Sequence, residues 1–325
     1  MTGPNGRRSD GNRSRRRYRN PVYDGYFADP FVLRWEDRYL AYGTGDQVDG
    51  RAFRVLSSSD LVSWTSVGGS LELPPAELGS DYWAPEVVHA DRGWWMYYSV
   101  GHGDRGHQLR VARAEGPLGP FRDTGVNLTP DETFAIDPHP FRDLDGRWYL
   151  YYARDVLDGE RVGTQLAVAP LATMTSWAGP PRPVLAPSAD WQIFERQRAI
   201  YDRVVDWHTL EGPTVREHDG VYYCLYSGGS YLGEGYGVGW ARADHPLGPW
   251  TETVGAPRLL ATVPGHVRGP GHNSVVTTFG GTDVLVYHAW DEAMSRRWMC
   301  IDALSWSDAG PTTRGPTWTE QQRPS

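Results

Sequence analysis

The sequence predicts an all-β fold, a five-bladed β-propeller with about four antiparallel strands per blade, and three observations predict it. Breakers are dense, with 38 Gly and 25 Pro in 325 residues, which leaves little room for long helices. The 15 Trp and 18 Tyr fall in short runs between turn residues, as strands do. One unit then recurs five times at intervals of roughly fifty to seventy residues, the period expected of propeller blades.

The core of the unit is a turn followed by an aromatic strand. It reads Asp37-Arg38-Tyr39-Leu40-Ala41-Tyr42-Gly43, then Gly93-Trp94-Trp95-Met96-Tyr97-Tyr98-Ser99, then Gly146 to Tyr152, Gly220 to Ser227 and, more loosely, Thr282 to His288. Before each copy stands a short segment beside a Pro or Gly: Ala28 to Val32, Trp83 to Val87, Ile136 to Pro140, Leu210 to Thr214 and Gly271 to Val275. After each comes an alternating strand, at Phe53 to Ser57, Leu109 to Ala114, Leu166 to Ala169, Val238 to Ala243 and Met299 to Leu304. Most copies close on an aromatic, at Trp64, Phe121, Trp177 and Trp250. A β-sandwich would show shorter spacing and no repeated unit. Residues 21–325 therefore read as one propeller domain, with an aromatic-rich insertion from Ala186 to Thr209.

Charge divides the chain. The net charge is −8, there is no lysine, and the first twenty residues hold seven Arg against Asp10 alone. Residues 1–20 are expected to form a disordered basic tail. The acidic remainder would repel phosphates, so no nucleic-acid partner is expected. No apolar run approaches ~18 residues, so no membrane-spanning helix is expected. Cys224 and Cys300 lack metal-ligand spacing and read as buried free thiols. The N-terminus has no apolar signal core, so the expected location is cytoplasmic, or secreted if the N-terminus is incomplete. The oligomeric state is not legible.

In a propeller the first strand of each blade lines the central channel, so equivalent positions converge. Aligning the repeats brings together Asp29, Ala84, Asp137, Glu211 and His272. Packing round an axis needs small or apolar residues there, yet three of the five are carboxylates. Clustered carboxylates repel one another and lose hydration, which raises their pKa values and marks a site. The alternative is that each acid caps a turn beside its Pro. One protonated and one ionised carboxyl flanking a bond are the means of glycoside hydrolysis. Trp83, Tyr231 and Trp191 are candidate platforms for sugar rings.

Asp29 in Ala-Asp-Pro, Asp137 in Ile-Asp-Pro-His-Pro and Glu211 in Leu-Glu-Gly-Pro resemble the three acid motifs of glycoside hydrolase family 43, in the same chain order. Tyr82 to Val87 and Gly269 to Val275 are similar as well. The resemblance implies a five-bladed propeller that hydrolyses glycosidic bonds with inversion. It implies Asp29 as general base, Glu211 as general acid and Asp137 as the residue that orients Glu211 and raises its pKa. By the same resemblance His272 binds a calcium-like ion on the axis, although a neutral His hydrogen-bonded in the channel explains it equally. No other cofactor is implied. Arg296 and Arg297 fall where some relatives place an Arg near the substrate, although a solvated loop explains them equally, and Glu86 reads as structural.

The implied substrate is an oligosaccharide or polysaccharide. The Ala186 to Thr209 insertion, placed at the channel mouth, would turn a cleft into a pocket that admits a chain end. Exo-action on α-L-arabinofuranosyl units of arabinan or arabino-oligosaccharides is the expected activity, with β-xylosidase or β-galactofuranosidase action as alternatives. A non-catalytic sugar-binding propeller would have no use for a matched acid–base set. Fructosyl-transferring relatives carry Asn before the first Asp, where this chain has Ala28.

Overall fold

A computed structural model describes residues 17–252 and 258–325. The arginines of residues 7 to 16 therefore lie outside the described residues. Among those residues the regular structure is strand apart from two short 3-10 turns, Ala76–Leu78 and Asp190–Gln192. No helix is long and apolar enough to cross a membrane.

Every repeat read from the sequence folds as an antiparallel meander. The first runs through Ala28–Trp35, Arg38–Thr44, Arg51–Ser58 and Thr65–Glu72, and the second through Asp81–Ala90, Gly93–His102, Arg105–Ala114 and Arg122–Asn127. The third comprises Ala135–Arg142, Trp148–Val156 and Gly163–Thr173, edged by Ser176–Trp177 and Arg182–Leu185. The fourth comprises Arg203–His218, Val221–Gly228, Gly237–Ala243 and Thr251–Glu252, and the fifth Arg268–Thr277, Asp283–Trp290, Arg297–Ser307 and Gly310–Thr313. Innermost strands of successive meanders touch, and Arg268–Thr277 of the fifth returns to Ala28–Trp35 of the first. The ring closes as a β-propeller.

Packing explains the aromatic runs. Each second strand is buried on both faces, and alternate side chains enter the cores on either side. Tyr98 and Met96 pack into a cluster shared with the first repeat, while Tyr97 packs into one shared with the third. Tyr152 joins that second cluster, and Tyr151 faces the fourth repeat. Leu285 and Tyr287 face the fourth repeat, whereas Val284 and Val286 face the first. A strand covered on both sides reads as a continuous apolar run rather than as an alternation. Both cysteines are buried and unpaired.

Residues 17–20, expected within the tail, are ordered into the fold. Arg17–Tyr18 pairs antiparallel with Gln321–Gln322, the Tyr18 hydroxyl donates to the Ile301 carbonyl at 3.0 Å, and the Asn20 amide donates to the same carbonyl at 2.9 Å. Tyr18 buries its ring between the first and fifth repeats. Residues 17–20 are thus part of the seam joining the chain ends.

The insertion is a hairpin. Ile193–Ile200 pairs with the N-terminal half of Arg203–His218 through a turn at Tyr201 and Asp202, both with positive φ, as a two-residue I′ turn requires. The same long strand carries Glu211 in its second half. The hairpin wall and Glu211 are therefore continuous in one strand.

Candidate active site

Each innermost strand carries a β-bulge, near its start in four repeats and midway along the long strand of the fourth. The register slips between Ala28 and Phe31, Trp83 and Glu86, Ile136 and His139, Glu211 and Thr214, and Gly271 and Ser274. Within each bulge one residue adopts left-handed backbone: Asp29 (φ 51°), Ala84 (48°), Asp137 (58°), Gly212 (55°) and His272 (46°). For a residue other than Gly that conformation costs of the order of 1–3 kcal/mol. It recurs here because a bulge re-aims its residue toward the axis.

This geometry corrects the alignment of repeats. The fourth counterpart of Asp29, Ala84, Asp137 and His272 is Gly212, not Glu211. Those five positions line a small axial cavity of about 10 Å³, together with Glu86 and Asn273. Glu211 stands one residue earlier, where the other repeats have Ala28, Trp83, Ile136 and Gly271. With Trp83 and Ile136 it faces a separate cavity of about 1120 Å³ above the axis. Asp29 and Glu211 therefore occupy adjacent layers. A Cβ at Gly212 would lie 3.3 Å from the His272 ring, closer than ordinary van der Waals contact.

Asp29 sits among cations and imidazoles. Its Oδ1 is 3.2 Å from Arg297 Nη1, 3.3 Å from His272 Nδ1 and 3.4 Å from His288 Nδ1. Burial opposes ionisation, but His272, Arg297 and His288 outweigh it, and the carboxyl lies well below the usual range. Burial also lowers both imidazoles, His288 to about 4. At neutral pH Arg297 is thus the lasting positive charge. Tyr26 fixes Arg297, its hydroxyl accepting from Nη2 at 2.8 Å and Nε at 3.2 Å.

Glu211 has the opposite environment. Burial pushes it up to about 7; the nearby Asp29 charge adds to this, while the Tyr236 hydrogen bond and Arg297 oppose it. The Tyr236 hydroxyl donates to Glu211 Oε1 at 2.5 Å. Asp137 is also driven upward by burial and then by the Glu211 and Asp29 charges. One ionised acid and one proton-holding pair thus coexist within a single channel.

The remaining sequence candidates separate. Trp83 stacks on His107 at 3.8 Å and, with Tyr231, lines the large cavity. Arg297 lies over the Tyr231 ring at 5.1 Å. Trp191 does not reach the cavity; it stacks on Tyr226 at 6.3 Å and packs into the core between the third and fourth repeats. Glu86 accepts from His139 Nδ1 at 2.8 Å, while His139 Nε2 accepts the Val215 N–H at 3.0 Å, a structural pair that joins the second repeat to the third. Reading the sequence missed Tyr26, Tyr236 and His288. His288 ends the fifth repeat unit, and that position could have drawn notice; Tyr26 and Tyr236 lie in loops with no repeat signal.

Asp137, Glu211 and His272 place potential ligand atoms within 4.8 Å of one another. A calcium ion takes six to eight oxygens and needs ionised carboxylates. Here His272 Nδ1 faces Asp29 at 3.3 Å, and the axial cavity of about 10 Å³ has room for about one water. The donors do not fit a hydrated calcium ion, and no step is derived through one.

The model of glycosyl hydrolases family 43 matches residues 18–311. The chain belongs to glycosyl hydrolase family 43. As a member of family 43 it is a glycosidase, and its substrates are carbohydrates. It is 33% identical to a thermostable family-43 glycoside hydrolase of known structure, with a TM-score of 0.84 over 95% of this chain and 99% of that one. It is 28% identical to the β-D-galactofuranosidase xynD of Aspergillus niger, over 90% of this chain and 83% of that protein. It is 25% identical to an extracellular exo-α-(1→5)-L-arabinofuranosidase of Streptomyces avermitilis, over 80% of this chain and 54% of that protein. That enzyme and two further matched relatives, an endo-α-(1→5)-L-arabinanase of Bacillus subtilis and an exo-α-(1→5)-L-arabinofuranosidase of Streptomyces chartreusis, are extracellular. They overturn the cytoplasmic expectation for this family-43 chain, which rested only on the missing signal core.

Proposed function

We propose that the protein is an inverting, exo-acting glycosidase that removes terminal α-L-arabinofuranosyl units from arabinan or arabino-oligosaccharides. The observation that carries the proposal is the contrast between Asp29, held ionised beside Arg297, and Glu211, pushed up to about 7 at the floor of the large cavity. Glu211 gives its proton to the glycosidic oxygen as the bond to the anomeric carbon breaks. Asp29 takes a proton from a water that attacks that carbon from the opposite face. The product has inverted configuration, and no covalent intermediate forms. Asp137 positions the acid through the backbone.

Exo-action is supported by the hairpin. Phe194, Arg198, Tyr201 and Trp207 of the insertion wall the cavity above Glu211. Tyr201 donates to Asp155 Oδ2 at 2.7 Å and Arg198 pairs with Asp104 at 2.7 Å, which ties the wall to the second and third repeats. The extracellular relatives support action on substrate outside the cell.

The extensive match to the A. niger enzyme favours a second reading, release of β-D-galactofuranosyl units by the same acids. Initial rates on nitrophenyl α-L-arabinofuranoside, β-D-galactofuranoside and β-D-xyloside, with the product anomer followed by NMR, test both readings. The primary reading expects the fastest turnover on the arabinofuranoside and an inverted first product. Retention of configuration would overturn the mechanism, and rapid loss of arabinan viscosity without free arabinose would overturn exo-action.

A further inference from the structure

The inner strands leave the channel on the side away from Glu211, and there they enclose another cavity, of about 450 Å³. All five contribute to it, through Phe31 to Arg34, Val88, His139 to Arg142, Thr214 to Arg216, and Ser274 to Thr277. Three of its lining residues are Arg34, Arg142 and Arg216, and none is an acid.

These cations are not neutralised by the protein. No carboxylate lies within ion-pair distance of any of the three among the described residues. Arg34 donates to the Thr278 carbonyl at 3.2 Å and covers the Phe279 ring at 5.2 Å. Arg216 donates through Nη2 to the Val275 carbonyl at 2.5 Å, while its Nε is buried without an acceptor. The acids whose charge reaches Arg216 are committed elsewhere. Glu86 pairs with His139 at 2.8 Å, and Asp283 accepts from Thr277 at 2.6 Å and from Trp306 at 2.8 Å. A cluster of like charges with one member largely buried costs folding free energy unless something offsets it. Nothing in the proposed hydrolysis uses these residues.

We propose that this basal cavity binds a small oxyanion of the phosphate type on Arg34, Arg142 and Arg216. Guanidinium forks match tetrahedral oxyanions in geometry and charge, which a monatomic anion cannot exploit. Apolar neighbours such as Phe31, Phe141 and Trp148 leave room for the organic part of a phosphate monoester as well as for free phosphate.

Isothermal titration calorimetry of the full chain at constant ionic strength tests the proposal, with inorganic phosphate, phenyl phosphate and chloride as titrants. The expected result is saturable one-to-one binding of a phosphate, weakened about tenfold or more in Arg142→Ala and in Arg34→Ala. These two side chains are exposed, so their variants keep the test available if Arg216→Met does not fold. Phenyl phosphate binding without inorganic phosphate binding supports the site and assigns it to monoesters. Nitrophenyl glycoside turnover by Arg142→Ala should equal that of the parent, which separates this site from the hydrolytic one. Heats no larger than those of chloride, or unchanged affinity in both rim variants, would overturn the proposal.

Discussion

Asp137 Oδ2 accepts the backbone N–H of Gly212 at 2.9 Å, so this carboxyl is linked to Glu211 through the next residue's backbone. That contact joins the layers of the site: Asp137 and Gly212 line the axis, and Glu211 faces the cavity above.

Asp137→Asn keeps a carbonyl oxygen for Gly212 but removes one carboxyl of the proton-holding pair. Two coupled carboxyls hold their last proton to higher pH than Glu211 would alone, so the apparent pKa of the acid function falls. Because the general acid must be protonated, the alkaline limb of kcat against pH should move to lower pH. Turnover should fall by about tenfold or more, within the range of general acid–base effects. A pH–rate profile with an unmoved alkaline limb would leave Asp137 a purely structural role.

Arg297→Met should act on the other limb. Removing the guanidinium takes away the lasting positive charge beside Asp29, so the Asp29 pKa rises from its depressed value. A base is lost as pH falls through its pKa, and the acid limb of kcat/KM should therefore move up into the measurable range. In the parent the profile should instead be limited on the alkaline side, near the pKa of about 7 of Glu211.

Gly212→Ala places a Cβ at φ 55° and 3.3 Å from the His272 ring. Left-handed backbone costs about 1–2 kcal/mol for a residue with a Cβ. Thermal unfolding should show a lower Tm, and kcat should drop further than KM changes, since the displaced residue is the neighbour of the acid.

Tyr18→Ala tests the seam. The ring is 6% exposed and lies between the first and fifth repeats. Its loss should cost on the order of 3 kcal/mol, comparable to other buried aromatic truncations, measured by denaturant unfolding. The catalytic pH profile should stay unchanged, because Tyr18 touches none of the acids.

Trp191→Ala should lower stability without raising KM for small glycosides, since Trp191 packs on Tyr226 rather than facing the cavity. A selective rise in KM would return Trp191 to the substrate.

The sequence alone determined the repeat, the strand content and the three acids, because strand patterning and turn chemistry are local and a repeat multiplies each weak signal. It placed the hairpin wall for the same reason, as an excess over the repeat length. It did not determine the layer in which each acid stands. Aligning Glu211 with Asp29 ignored the prolines: Pro30, Pro85 and Pro138 each follow a left-handed residue, and Pro213 follows Gly212. A one-residue slip turns a side chain to the other face of a strand, and here that slip separates the axial cavity from the substrate cavity. Tertiary structure alone decided the partners. Arg297 and His288 lie far from Asp29 in sequence and meet it only because the fifth repeat returns to the first and closes the ring, while Tyr236 reaches Glu211 from a loop of the same repeat. It also decided that Trp191 belongs to the core and that residues 17–20 seal the chain ends. Both outcomes depend on which surfaces meet when neighbouring meanders pack, a long-range matter that no local pattern records.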